Sequence, residues 1–212
     1  MKPIVLFFAV FLLSDASIAQ TTAEVVIPPF KDPYCEYIRK LEAGKTDIDF
    51  RAFRESFLDS KQFIVAFENS HTFDSLESAM RAEMKKSNYQ EIIKITKEML
   101  SIDYTSMIAQ KILRQTYNII GDSLNAKKYH DISFGLLHSI VDNGNGKTCA
   151  SGWPVIQVSE EYYILEMIDA TLSTQSIEGH CDKMDVKIDG DKKTYYFDIT
   201  KVIEGYNKLG LK

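Results

Sequence analysis

The chain has 212 residues, 45% hydrophobic and 26% charged. That is enough for one ordinary domain, and the composition excludes global disorder. A net charge of −5 excludes a general binder of nucleic acid or anionic membrane, which needs a basic footprint. Lys127-Lys128 and Lys192-Lys193 are local pairs diluted by neighbouring acids and read as solvated surface.

Residues 1–19 differ in kind from the rest. Lys2 precedes an apolar run from Ile4 to Leu13, and Ser17 and Ala19 put small residues before a cut at Gln20. This is the layout of a signal peptide cleaved after Ala19. A run of ten residues falls short of the roughly 20 needed to span a bilayer; an uncleaved anchor is the alternative. No cysteine follows the cut, so a lipoprotein is not indicated, and no transmembrane segment is expected after cleavage. The mature protein is expected to be exported, periplasmic or secreted.

Residues 20–31 have Pro28-Pro29 and no periodicity, and read as an extended leader. Asp32-Pro33 supplies a helix cap with proline at the first helical position, and Gly44 ends that helix. Asp47 to Leu58 reads as a second helix, with Phe50, Phe53 and Phe57 on one side. Lys61 to Thr72 is ambiguous, since Phe63, Val65 and Phe67 alternate as in a strand but the piece is short and isolated. Asp74 is expected to cap a helix running to Lys86.

Three stripes follow at helical spacing, carried by Ile92, Ile93, Met99 and Leu100, by Ile112, Leu113 and Tyr117, and by Ala126, Tyr129, Leu136 and Ile140. The turn clusters Ser87-Asn88 and Gly121-Asp122 lie 34 positions apart, and Leu113, Tyr117, Gly121-Asp122 and Ala126 match the intervals of a tetratricopeptide unit. The match is partial, so residues 32–141 read as tetratricopeptide-like helical hairpins within a compact domain.

After Val141 a glycine-rich break leads into a predicted short strand with Val155, Ile156 and Val158. Ser159 starts a helix whose acidic first turn, Glu160-Glu161, suits the helix dipole. Met184, Val186 and Ile188 alternate, Asp189-Gly190 turns, and Tyr195, Phe197 and Ile199 alternate back, a hairpin signal. Thr200 to Leu209 reads as a closing helix. The fold class expected is α+β, mostly α, a helical array followed by a small antiparallel β cap over residues 142–212 with one or two helices, packed on the array as one compact domain.

Export bears on Cys35, Cys149 and Cys181, because two of three can pair in an oxidising compartment. Cys149 and Cys181 both flank predicted strands and are the expected disulfide; three buried free thiols are the alternative.

Chemistry-bearing motifs are sparse. Gly144-Asn145-Gly146-Lys147-Thr148 resembles half a phosphate loop, but Val141 stands where the first glycine belongs, and it follows a helix. It fails as a calcium loop too, since its glycines occupy ligand positions. His180-Cys181-Asp182 is the densest metal-ligand group, and His130 and His138 sit eight apart, too far for chelation on one helix. No metal or cofactor is expected. Trp153 and Tyr162, in an aromatic-rich cap, are candidates for an interaction surface, beside the plainer reading of core packing.

The run Gly144 to Thr148, then Trp153-Pro154-Val155-Ile156-Gln157-Val158 and Glu160-Glu161-Tyr162, with Tyr195-Tyr196-Phe197 near the end, resembles the bacterial family called domain of unknown function 4919. Gly44-Lys45-Thr46-Asp47 and Phe50-Arg51 are similar to its N-terminal segment; Asn145 replaces an aspartate usual there. The resemblance implies exported bacterial proteins with helices ahead of a small β-containing end, and transfers no activity or catalytic residue.

The functional expectation is a non-enzymatic module binding a protein or peptide, with no nucleic-acid partner. The alternative is a hydrolase or other envelope enzyme whose site, around Glu160, Glu161, Lys147 and His180, assembles only in three dimensions.

Overall fold

A computed structural model describes residues 23–211, so the signal-peptide reading of residues 1–19 lies outside the described residues. Residues 23–31 run without regular structure, as a leader should, and are fastened to the body by the Val26 amide donating to Ser101 Oγ (2.8 Å) and Lys97 Nζ donating to the Ala23 carbonyl (2.7 Å).

Asp32 then caps α1 (Pro33–Glu42) by accepting from the Cys35 amide. The helix buries Tyr34, Cys35, Ile38 and Leu41, and Cys35 is a free thiol with no exposed surface. Asp49 caps α2 (Phe50–Asp59), and Ser60 both ends α2 and caps α3 (Lys61–Glu68). The ambiguous stretch is therefore helical. Its apparent alternation comes from Phe63 and Phe67, which are also one helical turn apart. Asp74 is not a cap: α4 (Ser70–Lys85) starts one turn earlier, with Asn69 at the cap position.

The three central helices form where the stripes place them, as α5 (Tyr89–Ile102), α6 (Met107–Ile119) and α7 (Ser123–Val141). The turns before α5 and α7 each need a left-handed residue, Ser87 at φ 55° and Gly121 at φ 78°. Tyr34, Phe53, Phe57 and Tyr104 meet in an aromatic cluster with centroids 4.9–6.2 Å apart, and the Tyr104 amide donates to the Tyr34 hydroxyl (2.9 Å). On α7, Gly135 makes room for a neighbouring ring, since a Cβ there would lie 2.2 Å from Phe50.

The remainder holds a 3₁₀ turn (Cys149–Ser151), β1 (Trp153–Pro154), α8 (Val158–Met167), β2 (Thr171–Glu178), β3 (Cys181–Ile188), β4 (Asp191–Asp198) and α9 (Thr200–Lys208). The sheet order is β1-β4-β3-β2. The predicted hairpin is β3–β4, paired antiparallel from Cys181↔Asp198 to Ile188↔Asp191. Two features differ from expectation. The predicted strand through Val158 is only Trp153–Pro154, parallel to β4, because Val158 is already the first residue of α8. An additional strand, β2, pairs antiparallel with β3. The class is α+β, mostly α, with a mixed sheet. One apolar cluster runs through both parts, from Tyr34 and Met99 to Met184 and Phe197.

Candidate functional site

A buried ion pair joins α2 to α8, and its arginine also reaches β1. Arg54 of α2 and Glu160 of α8 are 2% and 3% exposed. Arg54 Nε donates to Glu160 Oε1 (2.8 Å) and Nη2 to Oε2 (2.5 Å), a two-pronged guanidinium–carboxylate contact. The remaining guanidinium donors reach the Pro154 carbonyl and Ser139, and Glu160 Oε2 also accepts from the Ile156 amide (2.8 Å). Gln157 adds a second stitch, donating to Asp103 Oδ2 and Thr105 Oγ1 at 3.0 Å in the α5–α6 turn. Glu160 and Glu161 do occupy the first turn of α8, but they are core residues, not solvated dipole partners. Arg54 lies 106 positions from Glu160, a distance over which sequence spacing carries no signal.

Glu161 points elsewhere. It has no exposed surface and lies within hydrogen-bonding reach of Asp182 on β3, itself 7% exposed. Gln175 donates to Asp182 Oδ2 (2.5 Å), whereas both Glu161 oxygens and Asp182 Oδ1 have no conventional donor. Burial, then the negative charges of Asp182 and Glu160, push the Glu161 carboxyl up to about 8. A proton on Glu161, donated to Asp182, satisfies the pair.

The glycine-rich run is a structural clasp. Asn145 and Gly146 amides both donate to the Ser151 carbonyl (3.0 Å), and the Trp153 indole donates to the Gly144 carbonyl (3.2 Å). A Cβ on Gly146, at φ 64°, would lie 2.8 Å from the Trp153 ring. Trp153 is 9% exposed and stacks on Tyr195 at 5.2 Å, so it belongs to the core and not to a surface. Tyr162 is 46% exposed and its hydroxyl donates to Gln175 Oε1 (2.9 Å). Cys149 and Cys181 form a disulfide that fastens this clasp to β3. His180 has its ring nitrogens 3.7 and 3.9 Å from Cys149 Sγ. The three side chains have metal-like proximity, within 4.8 Å, but the sulfurs are bonded to each other and hold no thiolate for a metal. His130 and His138 flank Phe134 on α7 and contact Asp131 and Asp142. Of the alternative enzymatic set, Glu160 and Glu161 are buried against different partners, while Lys147 and His180 are exposed on loops.

The cavity suited to a ligand lies elsewhere. A groove of about 540 Å³ opens between α3, α4, α9 and the segment entering α8. Phe57, Phe63, Phe67, Phe73 and Tyr206 give it an aromatic wall, with Val202 beside them. Three acids, Asp74, Glu77 and Asp103, are among its lining residues, and no lysine or arginine is. Of its lining, Phe67 and Tyr206 remain 44% and 45% exposed. Sequence reasoning missed these residues because the stretch holding Phe63 and Phe67 was ambiguous between strand and helix; the Ser60 cap and their four-residue spacing were the available signals. A second cavity, of about 740 Å³, is polar, lined by Lys97, Lys128, Glu42 and Asp122 and by the leader itself. There Tyr104 and Tyr129 hydroxyls and Lys128 all donate to Glu42.

The class defined is therefore a mostly helical α+β fold in which a buried ion pair joins α2 to α8 and a disulfide fastens the glycine-rich clasp to β3. The chain belongs to the family described as Domain of unknown function (DUF4919), which matches residues 53–208 and so spans both Arg54 and Glu160. No curated protein and no solved structure matches it. Among the described residues, no helix is long and apolar enough to cross a membrane.

Proposed function

We propose that this protein is a non-enzymatic binding module whose aromatic groove takes up an amphipathic peptide segment with basic flanks. The observation that carries the reading is the groove itself. Large apolar side chains stay exposed around a concavity of about 540 Å³, within the range of pockets that enclose ligands. Aromatic walls favour apolar anchors at helical spacing, as in helix-in-groove recognition. Of the lining acids, Glu77 is paired with Arg81 and Asp103 is held by Thr105 and Gln157, which leaves Asp74 to favour a lysine or arginine at the segment's end. The burial of both α8 glutamates against structural partners supports binding over catalysis. The cleavable-leader pattern and the disulfide support an exported setting for this activity.

The test is fluorescence anisotropy with a labelled peptide carrying leucines at i, i+4 and i+7 and lysine flanks, beside the same peptide with glutamate flanks. The lysine peptide is expected to bind at least tenfold more tightly. Phe67→Ser and Tyr206→Ser, at positions 44% and 45% exposed, should each weaken it at least tenfold while circular dichroism shows the fold retained. Equal binding by both peptides, or indifference to both substitutions, rules the groove out.

A further inference from the structure

Beyond the groove, β2 presents an open sheet edge. It is the outermost strand of the order β1-β4-β3-β2, and among the described residues nothing pairs with its outer side. An uncovered edge offers a row of backbone donors and acceptors to another strand, and proteins usually block it with lysine, proline, inward charges or a covering loop. β2 reads Thr-Leu-Ser-Thr-Gln-Ser-Ile-Glu. It has no lysine or proline, and its single charge, Glu178, is already engaged by Lys183 (3.2 Å). One irregularity lies between Leu172 and Thr174; from Thr174 to Glu178 the pairing with β3 is regular.

Its side chains also complement themselves. Gln175 and Ile177 pair with Met184 and Asp182, so they share the face that α8 covers only in part. On that face Ile177 is 73% exposed and Tyr162, hydrogen-bonded to Gln175, is 46% exposed. A twofold axis through Ser176 sets the two strands antiparallel, with Ile177 of one copy opposite Gln175 of the other. This brings each isoleucine beside the partner's Gln175, the residue to which Tyr162 is hydrogen-bonded. The two Glu178 carboxylates fall at opposite ends, facing Thr174, whereas a parallel arrangement would stack them.

We propose that β2 pairs with β2 of a second copy across this axis, joining two four-stranded sheets into one. Each such contact occurs twice, as an isologous interface requires.

Sedimentation velocity of the purified protein over a hundredfold concentration range tests it. The expected result is a concentration-dependent dimer. Ile177→Lys, at a position already exposed, should weaken dimerisation at least tenfold while circular dichroism and the thermal midpoint stay unchanged. Ser176→Lys and Ser176→Glu place like charges face to face at the axis, so each alone should be monomeric and an equimolar mixture should dimerise again. A wild-type monomer throughout overturns the proposal. So does a dimer indifferent to Ile177→Lys, or variants at Ser176 whose mixture behaves no differently from either alone.

Discussion

Glu161 shows how a single buried carboxyl can make folding stability depend on pH. Its folded-state value of about 8 stands above the ordinary 4.5, so between those limits the folded protein holds a proton that the unfolded chain releases. The contribution of this group to stability is then fully present below about pH 4.5 and is lost as the pH rises to about 8. The shift corresponds to a loss on the order of 3–5 kcal/mol. Glu161→Gln keeps the shape and a donor toward Asp182 but cannot ionise. Urea midpoints at pH 5, 6.5 and 8 should decline for the wild type and stay nearly level for the variant; parallel slopes would refute the assignment. Arg54 poses the opposite problem, a charge that must not be lost. Arg54→Met leaves Glu160 buried without its partner, at a cost of about 3–5 kcal/mol. Arg54→Met combined with Glu160→Leu should recover more than half of it, measured by denaturant unfolding. If the double variant is as unstable as the single, the pair matters for more than its charge.

At the scale of elements, helices were legible and isolated strands were not. Stripes such as Ile112, Leu113 and Tyr117 disclose a helix because one face must be buried, and α5 to α7 bury those residues. The β3–β4 hairpin was equally legible from Met184, Val186 and Phe197, whose alternation has a buried side. β2 has almost no buried side, so no period marks it. The groove stayed hidden for a related reason, since Phe63 and Phe67 satisfy the periods of a strand and of a helix alike. Glu160 and Glu161 were found as acids of a first turn, but their partners, Arg54 and Asp182, are supplied by tertiary packing. Gly135 illustrates packing that composition alone does not reveal. Gly135→Ala would drive a methyl group into Phe50 and should cost about 1–3 kcal/mol by overpacking. Pairing it with Phe50→Leu should restore part of the loss in thermal unfolding, and the absence of any rescue would place the strain elsewhere.

Across the whole molecule, the disulfide is the longest covalent constraint, with 32 positions between its ends. It encloses β1, α8 and β2, the elements that carry Glu160, Glu161 and Gln175. On the chain-entropy account such a loop contributes about 3.5–4 kcal/mol, or a thermal midpoint about 10 °C higher for a domain of this size. The Cys149→Ser, Cys181→Ser double variant should melt earlier by roughly that amount in scanning calorimetry. An unchanged midpoint would mean that the clasp around Trp153 and the ion pair at Arg54 already order this loop without the bond.

Cys35, the odd thiol under the aromatic cluster, has a consequence for handling and measurement alike. Burial raises it to about 11, and it has no exposed surface, so neither solvent oxidant nor alkylating reagent meets a thiolate while α1 stays docked. Its labelling should therefore run at the pace of spontaneous opening, making the chain its own stopwatch: under excess iodoacetamide the rate should plateau at the unfolding rate and accelerate in step with added urea.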